Sequence, residues 1–107
     1  MSLAQFHQLL LTLKIPIAYD HFKDEQKPPF IAYRVLREDF KTADSKTAFR
    51  IAHLELSYCS DLRNIPFERR IEQLLESHLV TFDKAFLYLD KQEMYQVNYY
   101  FCMLGVD

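Results

Sequence analysis

The stretch Phe86-Leu-Tyr-Leu-Asp-Lys-Gln-Glu-Met-Tyr-Gln-Val-Asn-Tyr-Tyr-Phe-Cys-Met103 decides the fold. It reads as a hairpin: two strands joined by the polar turn Asp90-Lys91-Gln92-Glu93. In the second strand, Met94 to Met103, seven of the ten residues are apolar or aromatic and Cys102 adds a thiol. A strand with apolar groups on both faces is expected inside a sheet, covered on both sides. Its partner is expected to run from Leu79 to Leu89.

Upstream, Phe49 to Cys59 alternates cleanly. Ala52, Leu54, Leu56 and Tyr58 point one way, and Arg50, His53, Glu55 and Ser57 the other. One face meets a core; the other meets water or a partner. Phe30 to Arg37 is a further strand, with Ile31, Tyr33 and Val35 on one face and Phe30, Ala32, Arg34 and Leu36 on the other. The short Ile15-Pro-Ile-Ala-Tyr19 run is extended, and its proline confines it to an edge. Glu38 to Ala48 is the longest polar segment, with Phe40 its one large apolar residue, and is expected to be a loop.

Two helices complete the pattern. Ser2 and Gln5 form a capping box ahead of the stripe Leu3, Phe6, Leu9, Leu10, Leu13, which Pro16 ends. Asn64 and Pro66 open a second helix reaching about His78, with Phe67, Ile71, Leu74 and Leu75 inward and Glu68 and Glu72 outward. The order helix, strand, strand, strand, helix, strand, strand predicts an α+β fold. Two helices pack on one face of a mostly antiparallel four- to five-stranded sheet, in a single domain over residues 1–107.

Composition narrows the function classes. The single glycine, Gly105, stands against a usual content of about 7% and argues against P-loops and dinucleotide folds, which need several. A net charge of -2 and scattered basic residues speak against direct nucleic-acid specificity. There is no apolar run long enough to span a membrane, and no signal peptide, so a soluble cytosolic chain is expected. Cys59 and Cys102 have no metal or redox spacing and read as reduced core thiols, with a bridge between neighbouring strands as the alternative.

No catalytic, cofactor or metal site emerges. His7, His21, His53 and His78 lack metal spacing. Asp20 and His21 are adjacent loop residues expected to point apart, and His53 on a polar strand face suits a cross-strand hydrogen bond. Ser45, Ser57 and Cys59 lack a nucleophile elbow, and Glu55, Glu68 and Glu72 read as surface carboxylates. Tyr95, Tyr99 and Tyr100 are flanked by Gln96 and Asn98 rather than by Lys or Arg, which suits core packing and protein contact better than base stacking.

Five segments together carry a family resemblance: Lys14-Ile-Pro-Ile-Ala-Tyr-Asp-His-Phe22, Pro28-Pro-Phe-Ile-Ala-Tyr33, Ile51-Ala-His-Leu-Glu-Leu-Ser-Tyr58, Phe67-Glu-Arg-Arg-Ile-Glu-Gln-Leu-Leu75 and Tyr95-Gln-Val-Asn-Tyr-Tyr-Phe101. The chain resembles the tail-completion, or tail-terminator, proteins of long-tailed bacteriophages and prophages. It departs from that pattern in its two strand cysteines and in Tyr100, where a glutamate often stands. The resemblance implies a structural subunit of the virion tail, assembled in the bacterial cytoplasm. Such a subunit closes as a homo-oligomeric ring, commonly hexameric, on the tail-tube protein and presents a surface to the head-connector protein. It implies no catalysis, no cofactor and no membrane. Alternatives are another head–tail joining or tube component, or a small enzyme. The ring contacts expected on this reading are Arg34, Arg37, Phe40, Arg50, Glu55, Gln96 and Asn98, with Glu38 to Ala48 as a loop that orders on assembly.

Overall fold

A computed structural model describes residues 1–44 and 46–104. Helix α1 (Leu3–Leu11) leads to β1 (Ile17–Tyr19), β2 (Phe30–Ala43), β3 (Lys46–Ser60), α2 (Ile65–Ser77), β4 (Asp83–Leu89) and β5 (Met94–Leu104). The strands form one sheet in the order β1-β2-β3-β5-β4. Only β1 pairs in parallel, with β2; the other three pairings are antiparallel. The fold is α+β with both helices on one face, as expected. Strand β5 is interior, also as expected, and β1 is an edge.

The core follows from strand parity. Ile31 and Tyr33 of β2, Ala52, Leu54, Leu56 and Tyr58 of β3, and Val97, Tyr99, Phe101 and Met103 of β5 all lie on the helix-covered face. They meet Phe6 and Leu10 of α1, Leu13 just beyond it, and Phe67, Ile71 and Leu75 of α2. Ring contacts join the layers: Phe6 meets Tyr33 edge-on at 5.4 Å, and Tyr58 stacks on Phe67 at 4.8 Å. The helices start where the caps place them. Ser2 and Gln5 form the full capping box, and the Asn64 side chain accepts from the Phe67 amide at 3.1 Å.

Four expectations need correction. Glu38 to Ala48 is not a loop: it completes β2 and opens β3, paired from Arg37↔His53 through Ala43↔Lys46, with the turn entered at Asp44 (φ 51). Ser45 lies outside the described residues, as does Gly105. The ladder there is held by backbone bonds, which polar side chains on both faces leave without a sequence period. Residues 79–82 are not strand, because the Val80 amide returns to the Leu75 carbonyl and closes the end of α2. Strand β5 is covered on one face only. Glu68 and Glu72 do not face outward.

Glu68 is 1% exposed. Arg63 clasps it with two bonds, Nε to Oε2 at 3.0 Å and Nη2 to Oε1 at 3.1 Å, and Lys84 Nζ lies 2.9 Å from Oε1. Lys84 also donates to Glu72 Oε2 at 2.7 Å, which the Tyr99 hydroxyl reaches at 2.9 Å. The Arg63 guanidinium sits 4.5 Å from the centre of the Phe86 ring. Helix α2 is thereby tied to β4 and β5 by charge as well as by its apolar stripe. Burial alone would raise the Glu68 carboxyl, but hydrogen bonds from Arg63 and Lys84 outweigh it and hold it below its ordinary 4.5.

Three outcomes are expected in urea unfolding. Replacing Glu68 by Gln should cost about 3 kcal/mol at neutral pH, at the low end for a broken buried pair because Arg63 and Lys84 remain partly exposed. A lowered carboxylate stabilises above its unfolded value and loses that contribution as pH falls through its folded one. The stability of E68Q should therefore decline less with acid than that of the wild type. Leu79, at φ 59 and 93% exposed, occupies the left-handed position after α2 without burying its side chain, so Leu79→Gly should stabilise by up to about 1 kcal/mol.

Candidate functional site

The sheet face opposite the helices is where polar chemistry collects. Parity assigns it Ala32 and Arg34 from β2, His53, Glu55, Ser57 and Cys59 from β3, and Met94, Gln96, Asn98, Tyr100 and Cys102 from β5. No described helix covers it. Two open grooves run over it. One, of about 440 Å³, is bordered by Phe30, Ala32, Ser57, Cys59, Met94 and Gln96. The other, of about 340 Å³, is bordered by Leu36, Arg37, His53, Asp83, Tyr100 and Cys102.

A bulge shapes the second groove. Pairing of β2 with β3 slips by one residue between Val35 and Arg37, leaving Leu36 unpaired. In an unbroken strand Leu36 would share a face with Arg34. After the slip, Arg37 stands opposite His53 and Asp39 opposite Ile51, so both join the helix-free face. Asp39 Oδ2 then lies 2.8 Å from His53 Nε2, and Arg37 Nη1 donates to Asp39 Oδ1 at 3.2 Å. The hydrogen bond with His53 lowers the Asp39 carboxyl further than its slight desolvation raises it, and Arg37 adds to the lowering. On its other side, His53 Nδ1 lies 3.2 Å from Cys102 Sγ, since His53 and Cys102 are register partners.

A second network runs across the same face between the two grooves, reaching the first through Ser57 and Gln96 and the second through Tyr100. Asn98 is 5% exposed, and its Oδ1 accepts from Ser57 Oγ at 2.8 Å and from Gln96 Nε2 at 2.8 Å. Its Nδ2 donates to the Tyr100 hydroxyl at 3.3 Å. Arg34 Nε donates to Glu55 Oε1 at 3.2 Å. Burial and then the Glu55 carboxylate push the Tyr100 hydroxyl up, and burial pushes the Cys59 thiol up to about 11. Among the described residues every buried side-chain nitrogen and oxygen finds a partner.

Of the contact residues expected from sequence, Arg34, Arg37, Glu55, Gln96 and Asn98 gather on this one face. Arg34 and Arg37 are already paired within the chain, and Asn98 is bonded inward. Phe40 and Arg50 lie elsewhere, opposite one another on the outer part of the β2–β3 hairpin, with the guanidinium 5.7 Å from the ring centre; Arg50 does not share the face of His53 as expected but, two residues from Ala52, takes the helix-side parity. His53 makes the cross-strand bond expected of it. Cys59 is a buried thiol as expected, but Cys102 is exposed, and both are free. Asp20 and His21 do not point apart: Oδ2 and Nδ1 are 2.9 Å apart on the exposed surface.

Sequence reading missed Asp39 as a partner of His53, because unbroken parity in β2 sends Asp39 to the helix side and only the bulge at Leu36 turns it round, and it missed Cys102 because the β3–β5 register is set by pairing that alternation does not specify. It also missed Phe49, hidden in the alternation of β3. No described helix is long and apolar enough to cross a membrane. Comparison with protein-family models and with curated proteins matches the chain to none.

The two kinds of polar contact should behave differently. Asn98→Ala strands Ser57 and Gln96 in a buried setting and should lower stability by about 1–3 kcal/mol. Arg34→Ala removes a surface pair and should change it by less than about 1 kcal/mol. Chemical denaturation of the two variants checks the contrast.

Proposed function

We propose that the chain is a structural subunit of a long-tailed phage or prophage tail. It closes with copies of itself, as a hexamer on this reading, into a ring that terminates the tail tube and joins it to the head connector. The family resemblance suggests the role; the observation that carries it is the outer part of the β2–β3 hairpin.

Among the described residues, β5 follows β3 no further than Ile51↔Leu104, whereas β2 and β3 continue together to Ala43↔Lys46. Among the described residues no third strand lies beside this outer part, and a two-stranded ribbon alone is of marginal stability in water. It stretches the domain to 51 × 27 × 23 Å, with a radius of gyration of 15.0 Å against roughly 13 Å for a compact chain of this length. Phe40 and Phe49 are 57% and 48% exposed. Phe40 pairs with Arg50 and Phe49 with Lys41, in adjacent register positions, so the two rings occupy opposite faces of the ribbon. Burying each ring against a neighbour is worth about 1.5–3 kcal/mol.

A ring also needs a receiving surface that differs from the donated one. The unpaired edge of β4, with Phe86, Leu87 and Tyr88 exposed, suits that part. The ribbon of one subunit and the β4 edge of the next make a head-to-tail contact, which closes if the rotation between copies permits. The role calls for neither catalysis nor cofactor, and it places the chain in the virion tail after assembly in the host cytoplasm.

Sedimentation and negative-stain microscopy, alone and with assembled tail tubes of a long-tailed phage, test the reading. Closed rings capping tubes of finite length are expected. Phe40→Asp with Phe49→Asp should abolish the rings while moving the thermal midpoint by less than about 3 °C. Polymers of unlimited length would make it a tube protein, and a monomer at all concentrations, with and without tubes, would overturn the proposal.

A further inference from the structure

Asp39, His53 and Cys102 stand in line across three strands of the helix-free face, and the polarity of their contacts is fixed by chemistry. The Asp39 carboxyl is held in its ionised form, which only accepts. The proton between Asp39 and His53 therefore belongs to His53 Nε2, at 2.8 Å. With Nε2 protonated, the neutral ring leaves Nδ1 as an acceptor, and the group 3.2 Å away is the Cys102 thiol, a donor. Carboxylate, imidazole and thiol are thus arranged as orienter, base and nucleophile, the relation that activates cysteine elsewhere. Cys102 is exposed, and it borders the groove of about 340 Å³ together with Arg37, His53, Asp83 and Tyr100.

From this geometry we propose that Cys102 is a reactive thiol, assisted by His53, that exchanges with low-molecular-weight disulfides at the helix-free face. In the step, His53 Nδ1 takes the thiol proton as Sγ attacks one sulfur of the disulfide. The disulfide bond of the reagent breaks, and a new bond joins Cys102 to the attacked sulfur. The other sulfur leaves as thiolate. Cys102 is oxidised, the leaving sulfur is reduced, and the proton passes from the imidazolium to water. Asp39 is a positioning residue: it holds the ring and the imidazolium charge, and touches no reacting atom. The described titratable and charged groups facing the pair are Arg34, Arg37 and Asp39 from β2, Glu55 from β3, Asp83 from β4 and Tyr100 from β5. Arg34 is paired with Glu55 and Arg37 with Asp39, which leaves His53 as the neighbouring base. The inference stands apart from the ring, since it needs only the single domain.

Release of thionitrobenzoate from dithiobis(nitrobenzoate), followed on the whole folded chain, tests it. The native protein should show one fast phase, absent in Cys102→Ser, while Cys59 stays silent until unfolding. That phase should be faster than the same thiol in urea. It should rise only weakly from pH 7 to pH 8, where an unassisted thiol rises about eightfold. His53→Gln should slow it about tenfold or more at pH 7 and restore the steep rise. Asp39→Asn should slow it less and shift the pH profile. A native rate no greater than that in urea, or a His53→Gln rate equal to wild type with its circular dichroism intact, overturns the proposal. The comparison with urea needs no variant, so a misfolded His53→Gln leaves the test decisive.

Discussion

A carboxylate with almost no access to water, Glu68, sets the terms for the rest of the molecule. Left alone in that position, its charge would be expensive; two cations and a fixed geometry make the site tolerable. Arg63 comes from the segment entering α2 and Lys84 from β4, so the helix, its approach and the edge strand must be in place together. Phe86 extends the constraint, lying beneath both cations at 4.5 and 5.1 Å. An apolar stripe lets a helix slide or rotate on a sheet with modest loss. The bridges from Lys84 to Glu68 and Glu72 and the Tyr99 hydroxyl on Glu72 do not, and they fix the register of α2 against β4 and β5, while the bidentate Arg63 pair holds the Glu68 carboxylate at the helix entrance.

With α2 and α1 committed to one side, the opposite sheet face has no described helix over it, and its character follows from that. A face that meets water tolerates the polar row Ser57, Gln96 and Asn98, which would be out of place under a helix. The row is still tightly bonded, and Asn98 is nearly as inaccessible as the core residues. The bulge at Leu36 adds the one irregularity that changes chemistry. One extra residue in β2 turns Arg37 and Asp39 onto that face, and without it Asp39 would point to the helix side, away from His53.

Much of this was legible in the sequence where one face is buried. The alternation of Ala52, Leu54, Leu56 and Tyr58, the stripe of α2 and the capping box at Ser2 each have a single reading, because water and core impose the period. What was not legible has a common cause. Among the described residues the outer hairpin has no buried face, so backbone bonding stabilises it without a side-chain pattern. Glu68 looks like any helix carboxylate until Arg63 and Lys84, one five residues before and one sixteen after, are brought to it by the fold. The Asp39–His53–Cys102 line depends on a one-residue slip that no periodicity announces. The aromatic wealth of β5 suggested cover on both faces; parity instead sends Val97, Tyr99, Phe101 and Met103 inward and leaves Tyr100 and Cys102 on the open side.

The outer ribbon and the open face are adjacent yet separable. Phe40, paired with Arg50, is on the helix side of the ribbon, and Cys102 is on the other side near its base. A neighbour gripping the Phe40 side would leave the thiol accessible, whereas one gripping the Phe49 side would approach it. On the proposed assembly, a mixed disulfide at Cys102 would add bulk beside the Phe49 side of the ribbon and leave the Phe40 side clear. The change comes just outward of the bulge at Leu36: as far as Asp39 and Ile51 the strands belong to the packed sheet, and beyond them, among the described residues, β2 and β3 run on as a two-stranded ribbon.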